Sequence, residues 1–339
     1  MAGPADTALP LIAAPMAGGP STIELCAAVA AAGALPFLAG GYLDPSQLQT
    51  SIERLRERVS DFGVNLFVPG PEELDQDAFA DYVNTLTPLA RELGVSLDPD
   101  PRMDDDHYRE KLDLVVAEAP AAVSFTFGLP EPRDVRRLHQ AGSAVLITVT
   151  TVSEARAATL TGADALIVQG PRAGGHSATF NPARRIADVP TIDVVRAVSS
   201  VTHLPLIATG GVDGPGMVRE LRGAGAAAVA VGTLLLLSDE AGTSPLIRSA
   251  LTDPTFTRTA LTTAFTGRPA RSLINQFVRH CDANAPLGYP AIHHLTAPLR
   301  GHGFRSGNVE VVNLWAGTGY RSAWAGPAAE ILEWLASEL

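Results

Sequence analysis

The feature that most constrains this chain is a repeated pair, a short apolar run of strand character followed by a stretch of helical periodicity, which recurs along the first 240 residues. Eight runs qualify as strands: 11–14, 34–38, 64–67, 122–125, 144–149, 165–168, 204–208 and 227–231. A weaker ninth, 95–97, is expected outside the closed sheet. Such alternation favours parallel strands, because each intervening helix returns the chain to the same end of the sheet. The helix punctuation repeats too. Ser21 is a plausible N-cap for a helix ended by Gly33, Pro132 opens one ended by Gly142, Ser153 one ended by Gly162, and Gly214-Pro215 one ended by Gly225. The pattern predicts a (β/α)8 barrel, with an open doubly wound sheet as the alternative that periodicity alone leaves open.

After the eighth run the alternation stops. Residues 241–314 are richer in Pro, Thr and His and predict an inserted, mainly helical lid. Ile331, Leu332, Leu335 and Leu339 give the end of the chain one apolar face, so 328–339 is expected to be a terminal amphipathic helix closing the barrel. The expected organisation is a barrel built from 1–240 and 315–339, with a lid over 241–314.

Several classes of function fall away on composition. A formal net charge of -11 repels phosphate backbones and anionic lipid, so neither nucleic acid nor a membrane surface is an expected partner. Residues 1–8 lack the basic and apolar segments of a signal peptide, and no later stretch could span a bilayer; a cytoplasmic location is expected. Cys26 and Cys281 have no metal-type spacing and are expected to be buried small hydrophobes. Lys111, the only lysine, lies in the charged run 104–111, where a solvated position is expected, so Schiff-base chemistry lacks its nucleophile. Asp104-Asp105-Asp106 reads as a solvated acidic loop and His293-His294 as a polar helix start; no set of metal ligands is expected.

In barrels the ligand site lies at the C-terminal ends of the strands. Gly210-Gly211 and Gly232-Thr233 follow the seventh and eighth runs, where backbone N–H groups commonly hold a phosphate and a threonine hydroxyl can add a donor. The plainer reading is that these glycines only relieve packing in tight turns. Asn65 and Gln169 place amides at strand ends, offering donor and acceptor together, as the edge of a heterocyclic ring requires; otherwise they finish their strands by bonding to backbone. Met16 could pack on a flat ring, or simply fill the core. Among the eight histidines only His176 closes a Gly-rich loop after a barrel strand. It suits proton transfer or anion docking, against the alternative that it merely ties its loop down.

Together these segments resemble the nitronate monooxygenase family, also called 2-nitropropane dioxygenases. The resemblance rests on Ala14-Pro15-Met16-Ala17-Gly18-Gly19, Gly63-Val64-Asn65-Leu66-Phe67, Ala173-Gly174-Gly175-His176, Ala208-Thr209-Gly210-Gly211, Val231-Gly232-Thr233 and Thr266-Gly267-Arg268-Pro269-Ala270-Arg271. It implies an FMN-dependent barrel enzyme. On it, Asn65, Gln169, Gly174, Gly210, Gly211 and the stretch Ala230, Val231, Gly232, Thr233 would bind FMN, Met16 would lie near the ring, and His176 would act on the substrate. Tyr289, in Pro286-Leu287-Gly288-Tyr289-Pro290, matches a lid tyrosine that lines the substrate pocket in relatives. Many relatives have glutamine where this chain has Ala230, so backbone donors are expected there. The implied reaction is oxidation of an alkyl nitronate, or of a nitroalkane, with O2 to a carbonyl compound and nitrite. The competing expectations are an FMN-dependent NAD(P)H:quinone or enoyl-thioester reductase on the same barrel, and a phosphate-binding barrel without flavin.

Overall fold

The computed structural model describes residues 7–70 and 74–339. Residues 1–6, most of the segment read above for a targeting signal, lie outside them. In chain order the strands are β1 (Leu11–Ala13), β2 (Leu35–Ala39), β3 (Gly63–Phe67), β4 (Ala122–Thr126), β5 (Ala144–Val149), β6 (Ala165–Gln169), β7 (Gly175–His176), β8 (Leu206–Thr209), β9 (Ala228–Val231), β10 (Thr259–Thr262) and β11 (Ala270–Leu273). Strands β1 to β6, β8 and β9 form a closed parallel barrel, sealed by Leu11–Ala13 lying beside Val229–Val231. All eight expected strands are in it, and 95–97 forms no strand. The chain is thus a (β/α)8 barrel.

Period-two alternation sorts the side chains. Ile12, Phe37, Leu146, Ile167 and Ile207 point inward and pack together, while Leu11, Val64, Val123, Leu166 and Val168 point outward against the helices. Phe37 fills the barrel only because Gly63 has no side chain, since a Cβ there would stand 2.2 Å from the Phe37 ring. The same parity turns Asn65, Ser124, Thr126, Thr148 and Gln169 inward near the C-terminal rim, where they line a cavity.

The helix ends show small shifts. Thr22 caps Ile23–Ala31 and Thr151 caps Val152–Thr159, each accepting from a backbone N–H three residues on, in place of the expected Ser21 and Ser153. The terminal helix Ala328–Ala336 buries Ile331, Leu332 and Leu335 against the barrel helices, whereas Leu339 is exposed.

The 241–314 stretch contains helices Pro245–Thr252, Gln276–Cys281 and Ala291–Ser306. It also supplies an antiparallel pair, β10 and β11, that periodicity did not reveal; β7 joins its edge, with His176 opposite Ala270 and Gly175 opposite Arg271. The strand carrying His176 is therefore shared between barrel loop and insertion. A separate apolar cluster under the insertion includes Phe265, Phe277, Ile292 and Leu299, together with Phe79, Tyr82 and Leu86 from the helix Gln76–Leu93. No helix of the described residues is long and apolar enough to cross a membrane.

Two further expectations are corrected. Lys111 is 1% exposed, held by the Gly40 carbonyl and Asp106, so the run 104–111 is not a freely solvated face. His293-His294 do lie at a helix start, in Ala291–Ser306, but His293 is not free in solvent: it stacks on Tyr42, and burial beside Arg300 pushes its pKa down to about 2. Cys26 and Cys281 are buried free thiols, pushed up to about 12 and about 11 by desolvation, which leaves them unreactive near neutrality.

Candidate active site

One large cavity opens at the C-terminal rim, with about 1410 Å³ of space between protein atoms, part of it continuous with solvent. Met16, Asn65, Gln169, Gly174, His176, Gly210, Gly211, Ala230, Val231, Gly232 and Thr233 all line it. Residues from six separate strands and loops thus converge on one chamber. Tyr289 stands just behind, its ring 5.8 Å from that of His176 and 5.9 Å from that of Phe127.

One end of the cavity gathers glycines and unpartnered backbone donors. Gly210 and Gly211 have φ of +102° and +79°, a region that L side chains rarely adopt. Both are also crowded: a Cβ on Gly210 would lie 2.9 Å from the Gly170 carbonyl oxygen, and one on Gly211 2.9 Å from Cβ of Arg172. The buried Thr191 hydroxyl donates to the Gly210 carbonyl at 2.7 Å and holds the turn. Among the described residues, no group accepts from the backbone N–H of Gly211, Gly232 or Thr233. The Thr233 hydroxyl accepts from Gly317 N–H at 3.0 Å, which leaves its own hydrogen to donate. Free N–H groups, a free hydroxyl and glycines that admit close approach are the donor set a phosphate monoester requires.

The two amides behave differently. Asn65, 4% exposed, donates through Nδ2 to the Ser124 carbonyl, the Ser124 hydroxyl and Thr126 Oγ1 at 2.9 to 3.2 Å. Its Oδ1 has no partner among the described residues and can accept a ligand N–H. Gln169 is tied to backbone through both ends. Its Oε1 accepts from Ala178 N–H at 2.8 Å and its Nε2 donates to the His176 carbonyl at 3.2 Å, so one Nε2 hydrogen remains for a ligand. Gln169 thereby fixes the strand of His176 from the barrel side, while β11 fixes it from the other.

His176 sits in an aromatic box, with ring centres 5.7 Å from Phe127, 5.8 Å from Tyr289 and 5.5 Å from Trp315. Its Nε2 lies 2.9 Å from Thr266 Oγ1, which itself donates to the Arg268 carbonyl at 3.3 Å. With the hydroxyl hydrogen on that carbonyl, Nε2 carries the imidazole proton and Nδ1 is bare; with it on Nε2, the proton sits on Nδ1. Burial, then the charges of Arg268 and Arg300, push His176 down to about 3. It is neutral at any ordinary pH.

Those arginines were missed by sequence reasoning. Arg268 is 4% exposed, stacks its guanidinium 3.9 Å from the Phe127 ring centre and donates to the Thr179 carbonyl, while its Nε has no partner. Arg300 donates to Thr296 Oγ1 and to the His293 carbonyl. Neither guanidinium forms an ion pair, although the buried Glu154 carboxylate, bonded to Thr179, partly offsets Arg268 from a distance, so the chamber beside His176 carries net positive charge. Tyr42, Phe67, Phe127, Ser124, Thr126 and Trp315 were also missed as cavity residues. Strand parity could have found Ser124 and Thr126; nothing local in sequence marks the others.

Comparison with known proteins agrees with this architecture. The family model described as nitronate monooxygenase matches residues 5–338. A probable nitronate monooxygenase of Staphylococcus aureus is 32% identical over 329 residues, covering 95% of this chain and 92% of the relative. Among solved structures, a nitroalkane oxidase from Streptomyces ansochromogenes superposes with a TM-score of 0.93 at 42% identity, covering 98% of this chain and 96% of that one. FabK from Thermotoga maritima superposes at 0.76 with 23% identity, covering 99% and 94%, a likeness of fold alone.

Proposed function

The chain belongs to the nitronate monooxygenase family, and from that premise we propose that it binds FMN at the barrel rim and uses O2 to oxidise small alkyl nitronates to a carbonyl compound and nitrite. The observation that carries the substrate reading is the neutral His176 beside two buried guanidinium groups that touch no carboxylate. A chamber of that charge favours an anion over a neutral molecule, and the nitronate is the anionic form of a nitroalkane.

The residues present fit FMN. The N–H groups of Gly211, Gly232 and Thr233 with the Thr233 hydroxyl would hold the phosphate, and Asn65 Oδ1 and the remaining Gln169 Nε2 hydrogen would meet the ring edge. Met16, beside Gly232, would pack on the ring system, with Gly174, Gly210, Ala230 and Val231 giving backbone contact. FMN, when bound, supplies the electron transfer between substrate and oxygen. The protein does the rest. Arg268 and Arg300 attract the nitronate, and His176, in its Nε2–H form, presents Nδ1 as an acceptor and takes up a proton if a neutral nitroalkane enters instead. Tyr289 and the aromatic box exclude water, and the 241–314 insertion serves as the lid.

The test is His176→Asn. Turnover of a nitronate should fall by about a hundredfold with flavin content unchanged, and undiminished nitrite production would remove His176 from the reaction. Anaerobic mixing of the wild type with NADH should leave the flavin colour unchanged; rapid bleaching would favour a reductase.

A further inference from the structure

We propose that the segment from Asp104 to Lys111 is a positioning device for the substrate chamber, holding Tyr42 of the barrel and His293 of the insertion stacked as one wall. The role of that wall in substrate binding rests on the function proposed above.

Tyr42 lines the cavity and lies face to face with His293, ring centres 4.6 Å apart and planes 1° from parallel. Neither ring's backbone belongs to a barrel strand or to the same apolar cluster, so something else must hold the two in register. Each is tied to the same acidic run. On the barrel side, Asp106 Oδ1 accepts from the Tyr42 backbone N–H at 3.0 Å. Lys111 Nζ lies 2.9 Å from Asp106 Oδ2 and donates to the Gly40 carbonyl at 2.8 Å. On the other side, Asp104 Oδ2 lies 2.8 Å from Nε2 of His294, the neighbour of His293.

The backbone shows the same constraint. Tyr42, Asp106 and His107 all have left-handed φ, at +67°, +55° and +52°, a conformation that non-glycine residues keep only where their surroundings over-determine it. Gly40 and Gly41 press onto the site: Cβ atoms there would stand 2.7 Å from the Asn65 carbonyl and 2.3 Å from the Phe67 ring. The loop cannot settle closer to the barrel, and Lys111 keeps it from lifting away. Such use explains why the chain's one lysine is buried: an ammonium on a long stem reaches a carboxylate and a carbonyl together, which a neutral side chain of the same length cannot do. From the stacked pair the constraint passes to the reaction centre, because the His293 ring lies 6.2 Å from that of Tyr289, which lies 5.8 Å from that of His176.

The experiment compares Lys111→Met, Tyr42→Ala and the double variant in the flavin-loaded enzyme, with hydrogen exchange at the Tyr42 amide as a readout independent of turnover. Lys111→Met should raise KM for a nitronate about tenfold, leave kcat within about twofold, keep full flavin content and speed exchange at the Tyr42 amide. In the Tyr42→Ala background it should add less than about a twofold change. Effects that multiply independently, or an amide whose exchange does not change, would overturn the proposal. If Lys111→Met fails to fold, Asp106→Asn carries the same two readouts, since it removes the charge while keeping an acceptor for Tyr42; unchanged exchange and unchanged KM in it would overturn the proposal as well. Faster exchange in a protein whose wild type makes no nitrite from a nitronate would leave the clasp standing and remove the functional reading alone.

Discussion

Arg268→Met replaces a buried charge with an apolar chain of similar reach, and the structure sets the size of the effect on His176. The guanidinium carbon is 3.9 Å from the Phe127 ring centre, which is 5.7 Å from the His176 ring. Charge and imidazole are therefore less than about 10 Å apart, which at an effective dielectric near 20 is worth at least roughly 1.7 kcal/mol, or about 1.2 pKa units. The variant should lift His176 from about 3 by about one unit, still neutral at pH 7. A nitronate beside that ring feels the same field with opposite sign, so its kcat/KM should fall about tenfold, while a neutral nitroalkane of the same carbon skeleton should change less than about twofold. The assay is nitrite release from nitronate and from nitroalkane, each as a function of ionic strength, with the His176 titration followed by NMR of histidine-labelled protein. Equal losses for the two substrates, or a wild-type His176 that titrates near 6.5, would refute the charge argument.

Acid should destabilise the fold before most carboxylates titrate. His176 and His293 have folded pKa values depressed to about 3 and about 2, so the unfolded chain takes up protons that the folded one refuses. Stability is complete above about pH 6.5 and falls as pH drops towards 3, by up to roughly 1.4 kcal/mol per pH unit for each histidine. Urea unfolding at pH 7.5 and pH 5.5 measures it, and a pH-independent midpoint would contradict the burial of both rings. Gly211→Ala meets both a left-handed φ and a 2.9 Å contact with Arg172; it should weaken FMN binding at least about fivefold through roughly 1 kcal/mol or more of strain, read by flavin titration of the apoprotein. Gly63→Ala would press on Phe37 and should cost about 1–3 kcal/mol of stability in thermal unfolding, with retained Tm counting against this packing.

The barrel was legible because each strand is a short apolar run whose two faces are both buried, a requirement that acts within five or six residues. Asn65 and Gln169 stood out for the same reason, as polar groups at inward positions of apolar strands. The β10 and β11 pair did not. Thr259, Thr262, Arg271 and Ser272 occupy it, and two of its polar side chains are satisfied from distant segments, Arg271 by the Pro171 carbonyl and Ser272 by that of Leu314. Neither alternation nor hydrophobicity survives in four-residue strands of that composition. Lys111 was misread on the same principle, since a charged run looks solvated until Asp106, Gly40 and Tyr42 are brought together across the fold.

What the structure changes most is the role of His176. In sequence it closes a glycine loop, and its ordinary pKa allows either an imidazolium that docks an anion or a base. In the fold it is a residue shared by two layers, its backbone carbonyl accepting from Gln169 of the barrel, its strand paired in register with Ala270 of the insertion, and its ring in contact with Thr266. These contacts and an aromatic box leave it little freedom, and burial with two nearby guanidinium groups makes the protonated form costly. The positive charge needed by an anionic substrate has moved one residue outward, to Arg268 and Arg300. A neutral imidazole can then accept a hydrogen bond or a proton without first losing one, while fixed cations that cannot titrate near neutrality hold the charge. Binding of an anion beside them should raise the His176 pKa, so proton affinity at Nδ1 rises when substrate is present and falls again when it leaves.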